Sequence, residues 1–164
     1  MLYSNASVQQ TRWESTSAIS VARSALSTDK STETVAALAS TKVVFIDIED
    51  LCPALRLRFK GVASNNDSNV LNIYGVFDPD EAGDDYQLLV TATLTMGQQT
   101  DGTNLYADTV ATSNEAWVDD IIPLSGNTDD IGGLWFNTQG LSKIAIIATT
   151  LNSTSVIVDY ARVG

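Results

Sequence analysis

Twenty carboxylates, no histidine and a single cysteine, Cys52, bound the chemistry open to this 164-residue chain. The densest cluster is DPDEAGDD, Asp78 to Asp85, with five carboxylates in eight residues. Oxygen-rich loops bind calcium, and two carboxylates facing each other across a cleft can hydrolyse a glycosidic bond. An EF-hand loop needs oxygen at its fifth position and a bidentate glutamate at its twelfth; counted from Asp78, those positions are Ala82 and Leu89. That match fails. Pro79 and Gly83 are turn residues, so the stretch reads as an acidic connection between strands, with a looser calcium site as the alternative. DDIIPL (119–124) and DDIGGL (129–134) form a near repeat ten residues apart, the pitch of one short strand plus a turn. Without histidine, zinc sites, Ser-His-Asp and Cys-His nucleophiles and the usual neutral-pH base are excluded. No catalytic residue, metal ligand or cofactor is assigned, and the chain reads as a binding module rather than an enzyme.

Two other groups of residues carry binding chemistry. Arg56, Arg58 and Lys60 alternate in ALRLRFKG and make up three of the five basic residues after Lys42. On a strand they project from one face, about 7 Å apart. They either pair with the chain's own carboxylates or receive an acidic surface of an identical or different subunit. The aromatic residues Tyr106, Trp117 and Trp135 are candidates for exposed rings, of the kind a carbohydrate-binding module uses to stack sugars. In GLWFN, Trp135 and Phe136 are adjacent, so a strand there turns one ring inward and the other outward.

The elements that must position these groups are strands. Leu55, Leu57 and Phe59 alternate with the three cations, and Leu88, Val90, Ala92, Leu94 and Met96 alternate with Thr91, Thr93 and Thr95. KVVFIDIE, NVLNIYGVF, LYADTVAT, GLWFN, SKIAIIATT and SVIVDYARV complete about eight runs, with turn signals every 8 to 12 residues and no strong amphipathic helix. This pattern predicts an all-β, antiparallel β-sandwich of jelly-roll type, residues 43–164, closed by a terminal hairpin through LNST. Asn65, Asn66 and Asp67 read as a loop, and Cys52 as a buried small hydrophobe.

Residues 1–42 differ. They are rich in Ser, Thr and Ala, and they hold four of the nine basic side chains but only three of the twenty acidic ones. They lack a sustained period of 2 or 3.6, so they read either as a disordered tail or as an extended N-terminal arm that orders against another subunit, and Trp13, rare in a solvated tail, favours the arm as its contact. The domain from about Val43 is expected to fold without it. A net charge of −11 argues against nucleic acid, and no apolar run approaches a membrane span. MLYSNASVQQTRWE lacks the features of a secretory signal, which reads as a soluble chain made in a cytoplasm.

A Ser/Thr/Ala-rich amino terminus ahead of an acidic, histidine-free β-domain, with strands such as ALRLRFKGVASNNDSNVLNIYGV and a closing SKIAIIATTLNSTSVIVDYARVG, resembles small bacteriophage virion proteins of the capsid decoration or cement type. The resemblance spans the chain and is one of style, without a diagnostic motif. It implies a non-enzymatic structural protein, often a homo-oligomer, on the capsid surface of the virion. There it binds the major capsid protein or another virion protein and reinforces the assembled head. The alternative is a carbohydrate-binding module or another virion domain, of tail, fibre or vertex, that uses the exposed aromatics.

Overall fold

The structure, a computed structural model, describes residues 12–28, 38–48, 52–62, 68–77, 86–101, 104–122, 133–138 and 140–163. Among them the chain is all-β, with one 3₁₀ turn at Glu115–Trp117 and no α-helix. The strands are β1 (Glu14–Ser15), β2 (Val44–Asp47), β3 (Ala54–Val62), β4 (Ser68–Val76), β5 (Gln87–Asp101), β6 (Asn104–Ser113), β7 (Val118–Ile122), β8 (Gly133–Asn137), β9 (Lys143–Thr150) and β10 (Ser155–Val163). The eight runs visible in the sequence are all strands. β1 and β7 are additional.

All ten strands join one antiparallel sheet that curls into a half-barrel, in the order β1-β10-β3-β6-β5-β4-β9-β2. The sheet forks at β3, because β8 pairs with its Ala54–Arg58 end while β6 pairs with Lys60–Val62; β7 then adds to β8. Curling brings the two ends of the order together. Arg162 of β10 reaches Glu14 of β1 at 3.1 Å and donates to the Asp47 carbonyl of β2 at 3.2 Å.

Side-chain alternation explains which face is buried. Leu55, Leu57 and Phe59 are fully buried, and Arg56, Arg58 and Lys60 lie half-buried on the outer face. In β5, Val90, Ala92, Leu94 and Met96 point inward as the sequence predicts, but Leu88 is 50% exposed and Leu89 is buried instead. A register shift causes this: Ile73 pairs with Val90 and the next residue, Tyr74, pairs with Leu88, so Leu89 is the extra residue of a bulge and the phase flips there.

The expected hairpin between β9 and β10 does not form. β9 pairs with β4 and β2, whereas β10 pairs with β3 and β1, so the connection between them crosses from one part of the sheet to another. Its corner is fixed by Asn69, a fully buried residue at the start of β4. The Asn69 side chain accepts from the backbone N–H groups of Asn152 (2.9 Å) and Ser153 (3.1 Å) and donates to the Ser153 hydroxyl (2.9 Å). Those contacts replace the hydrogen bonds a tight hairpin would have supplied.

The described residues of the amino-terminal segment lie along the domain. Thr16 and Ile19 hydrogen-bond the backbone of β10 at Val158 and Val156, and further on Arg23 donates its N–H to the Ala148 carbonyl of β9. Ile19 is fully buried in the main core with Val156, Val158, Leu55 and Phe59. Leu26 joins a second cluster with Val43, Tyr74, Val76, Tyr86, Ala145 and Ile147. β9 is therefore buried on both sides, since Ile144, Ile146 and Ala148 belong to the main core and Ala145 and Ile147 to the second cluster. Cys52 is half-buried, packs against the main core and donates weakly to the Ala54 carbonyl.

The stretch DPDEAGDD connects the paired strands β4 and β5, and its residues lie outside the described ones, as do Asn65, Asn66, Asp67, Asp129 and Asp130. The near repeat has a plain origin. Ile121 and Ile122 of its first copy pair with Leu134 and Gly133 of its second, as two strands of one hairpin. No helix among the described residues is long and apolar enough to cross a membrane.

Candidate docking face

Three rows of cross-strand neighbours on the outer face of β8, β6, β3 and β10 bring the basic and aromatic residues together. Arg56 lies between Trp135 of β8 and Ala161 of β10; Arg58 lies between Gly133 and Asp159; Lys60 lies between Tyr106 of β6 and Ile157. Register alone sets these neighbours, because directly opposed residues share a face. The fourth contributor arrives with the amino-terminal segment. Pairing of Glu14 and Ser15 with Tyr160 and Asp159 sets Trp13 beside the two arginines.

The result is an alternating ladder of rings and cations. The Arg58 guanidinium carbon is 4.3 Å from the centre of the Trp13 ring and 6.0 Å from that of Tyr106. That of Arg56 is 5.6 Å from Trp13 and 5.8 Å from Trp135. Each such contact contributes about 0.5–1 kcal/mol when exposed and more as water is excluded.

Asp159 anchors the centre of this face. Its side chain is 1% exposed, and its two oxygens meet Arg58 Nε at 2.9 Å and Lys60 Nζ at 3.0 Å. The Ser15 hydroxyl donates to it at 2.6 Å. Desolvation pushes the carboxyl pKa up, but the Ser15, Lys60 and Arg58 hydrogen bonds and the Lys60 charge outweigh it, so the group sits below its ordinary value. At the rim, Tyr160 donates to Glu14 at 2.8 Å; burial and that carboxylate together raise the phenol's pKa.

Charge is not balanced along the stripe. Asp159 serves Arg58 and Lys60, whereas Arg56 faces Ala161 and has no carboxylate partner among the described residues. Its Nε is buried without a hydrogen-bond acceptor. Arg56 is thus a cation beside two indoles with no compensating carboxylate among the described residues. Lys143 and Arg162, the other basic residues after Lys42, are ion-paired with Asp47 and Glu14.

Of the residues singled out in the sequence, Trp13, Arg56, Arg58, Lys60, Tyr106 and Trp135 meet on this one face. Trp117 does not. Its ring stacks at 6.5 Å on Phe136 and meets Phe77 edge-on at 5.9 Å, against the main core. Phe136 is fully buried and Trp135 half-buried, as alternation requires, and the half-buried Trp135 and Tyr106 rings have the Arg56 and Arg58 guanidinium carbons at 5.8 and 6.0 Å from their centres. Sequence reasoning missed Asp159. A signal existed, since it is the single carboxylate after Asp130 and sits in an otherwise apolar run. No group of acidic or cysteine residues among those described has the arrangement of a metal site.

Comparison with known proteins found no matching family model, no matching curated protein and no matching solved structure.

Proposed function

We propose that this chain is a non-enzymatic structural protein of a viral particle, a capsid decoration or cement protein. On this reading it binds the assembled head and stabilises it through the outer face of β3 and the amino-terminal segment. The observation that carries the proposal is Arg56, beside Trp13 and Trp135 on the outer face of an acidic protein and without a carboxylate partner among the described residues. A fixed, half-desolvated cation beside aromatic rings suits an acidic neighbouring subunit, because the aromatic and arginine anchors of interfaces are already ordered before contact. Repetition over many equivalent lattice positions would multiply a modest single contact into strong attachment.

The same reading treats the curled sheet as a jelly-roll-type sandwich. Support comes from the main core, where Val44 and Ile46 from one end of the strand order share a cluster with Val156, Val158 and the inner face of β3 from the other. Two walls that close on a common core are what a sandwich requires.

Cosedimentation of the purified chain with assembled phage capsids tests the function. Saturable binding at a fixed ratio to the capsid subunit, lost in Arg56→Glu while the variant keeps its melting transition, is the expected result. Wild-type chain that stays in the supernatant would refute it.

A further inference from the structure

We infer that the open edge of β6, Thr109 to Ser113, pairs antiparallel with the same edge of a second copy of this chain, forming a two-fold dimer. Among the described residues, β1, β2, β7 and the part of β6 beyond Tyr106 have no strand partner on one side, β6 because β3 passes from it to β8. Such an edge offers a row of backbone N–H and C=O groups to any extended chain, and proteins blunt it with short strands, charges or bulges. Three of the four edges are blunted. β1 has two residues; β2 has four, and Arg162 donates to its Asp47 carbonyl; β7 carries Asp119 and Asp120 at a register shift. β6 has its own bulge at Asp108, and beyond it Thr109–Ser113 runs in unbroken register with Thr95–Thr91 of β5. That stretch, TVATS, holds no charge and no proline. Thr109, Ala111 and Ser113 are exposed, and no backbone group outside the β5 pairing hydrogen-bonds to the stretch among the described residues.

The residues of this edge suit a second copy. Antiparallel pairing about a two-fold axis at Ala111 sets Ala111 against Ala111, Val110 against Thr112 and Thr109 against Ser113. Every row then joins small, uncharged side chains, with no like charges opposed. Net charge selects the same contact. Two chains of charge −11 repel, and they approach most easily where the surface carries no charge. Because both copies present the same patch, the contact is isologous and closes at two. It uses a stretch of β6 separate from the Arg56–Arg58 face and does not depend on what that face docks.

Sedimentation velocity on the full chain, at about 10 to 300 µM and about 20 to 500 mM NaCl, tests the pairing. Dimers should appear within that range and tighten at least about threefold as salt screens the repulsion between copies. Ala111→Lys sets two ammonium groups face to face and should abolish association, although it lowers the net negative charge. Ala111→Glu should do the same, and an equimolar mixture of the two variants should restore dimers, because opposite charges then meet across the axis. Ala111 is exposed, so both variants should melt as the wild type does. If either fails to fold, a cysteine trap decides. Directly opposed Cα atoms lie about 4.5–5.5 Å apart, within disulfide reach, so mild oxidation should cross-link Cys52→Ser/Ala111→Cys into a dimer. Cys52→Ser/Thr93→Cys, one strand further in on the same face, should stay uncross-linked. Strictly monomeric wild type, association that survives in both charged variants, a mixture that stays monomeric or an Ala111→Cys chain that does not cross-link would each overturn the inference. Association that weakens with salt would assign the contact to opposite charges elsewhere and overturn it too.

Discussion

Arg58 and Asp159 are direct cross-strand neighbours, with Nε and Oδ2 2.9 Å apart and the carboxylate 1% exposed. A buried charge persists only with close partners. Asp159 has three, drawn from two separate elements: Arg58 and Lys60 of β3, and Ser15 of the amino-terminal segment. One carboxylate on β10 therefore ties together the strand that carries the basic stripe and the segment that carries Trp13.

The first prediction concerns acid. Asp159 has a folded-state pKa below its ordinary value of 3.8, so its contribution is fully present above that value and is lost as pH falls through the lower, folded one. Stability of the wild type should fall steeply below about pH 4. Asp159→Asn should flatten that acid limb. At neutral pH the variant should lose about 3 kcal/mol, the low end for breaking a buried pair, because Arg58 and Lys60 retain some water. Urea denaturation at pH 3, 5 and 7 checks both statements, and an unchanged acid limb in Asp159→Asn would refute them.

Gly133 gives a second prediction. A Cβ there would strike the Leu57 carbonyl oxygen, a backbone atom that cannot move aside cheaply. β8 pairs with β3 at this point, opposite Arg58, so Gly133 permits the fork of the sheet. Gly133→Ala should displace β8 and Trp135 and melt at least about 5 °C lower, the size of shift that 1–2 kcal/mol produces in a domain of this length. Near-ultraviolet circular dichroism should report the altered tryptophan environment; a wild-type spectrum and melt would contradict this account.

Much of this architecture was legible in the sequence, and the parts that were not have physical causes. Period-2 alternation revealed β3 and most of β5, because those strands each have one apolar face turned to the core. It failed at Leu88, where a bulge inverts the phase without any change in composition. Adjacency suggested a β9–β10 hairpin, but a turn-like LNST does not reveal that Asn69, more than eighty residues earlier, holds the corner. The site was half visible. The three cations and Trp13 announce themselves by type, whereas their common partner is a single aspartate whose role depends on register between strands a hundred residues apart.

Asn69 makes the third prediction. Asn69→Ala would leave the Asn152 and Ser153 N–H groups without their acceptor, and an unsatisfied buried group costs about 1–3 kcal/mol. A total loss of about 3 kcal/mol is expected. Hydrogen exchange should localise it, with protection falling first at residues 151–155. Uniform loss of protection across the sheet would argue against a corner-specific role.

The last prediction concerns the amino-terminal segment, where the structure alters what composition suggests. Residues 12–28 lack a repeating period because their two buried apolar side chains enter different clusters, Ile19 the main core and Leu26 the cluster on the other side of β9, while Val21 stays exposed. Polar links are spread in the same way, from Glu14 to Arg162 and Tyr160, from Ser15 to Asp159, and from the Leu26 N–H to the Tyr74 hydroxyl. A chain that begins at Val43 should therefore lose stability rather than only an attachment. Ile19→Ala alone should cost about 3 kcal/mol, within the range for cavity-forming core substitutions, and lower the melting temperature by about 10 °C. Trp13→Ala should cost less, about 1 kcal/mol, because it removes half-buried cation–π contacts without opening the core. Removal of residues 1–28 should exceed either single effect, since it uncovers Val156 and Val158 as well as Tyr74 and Tyr86. Thermal melts of the three variants rank these losses. If the truncated chain melts within a few degrees of the full one, Ile19 and Leu26 do not stabilise the domain and the segment is only an attachment arm.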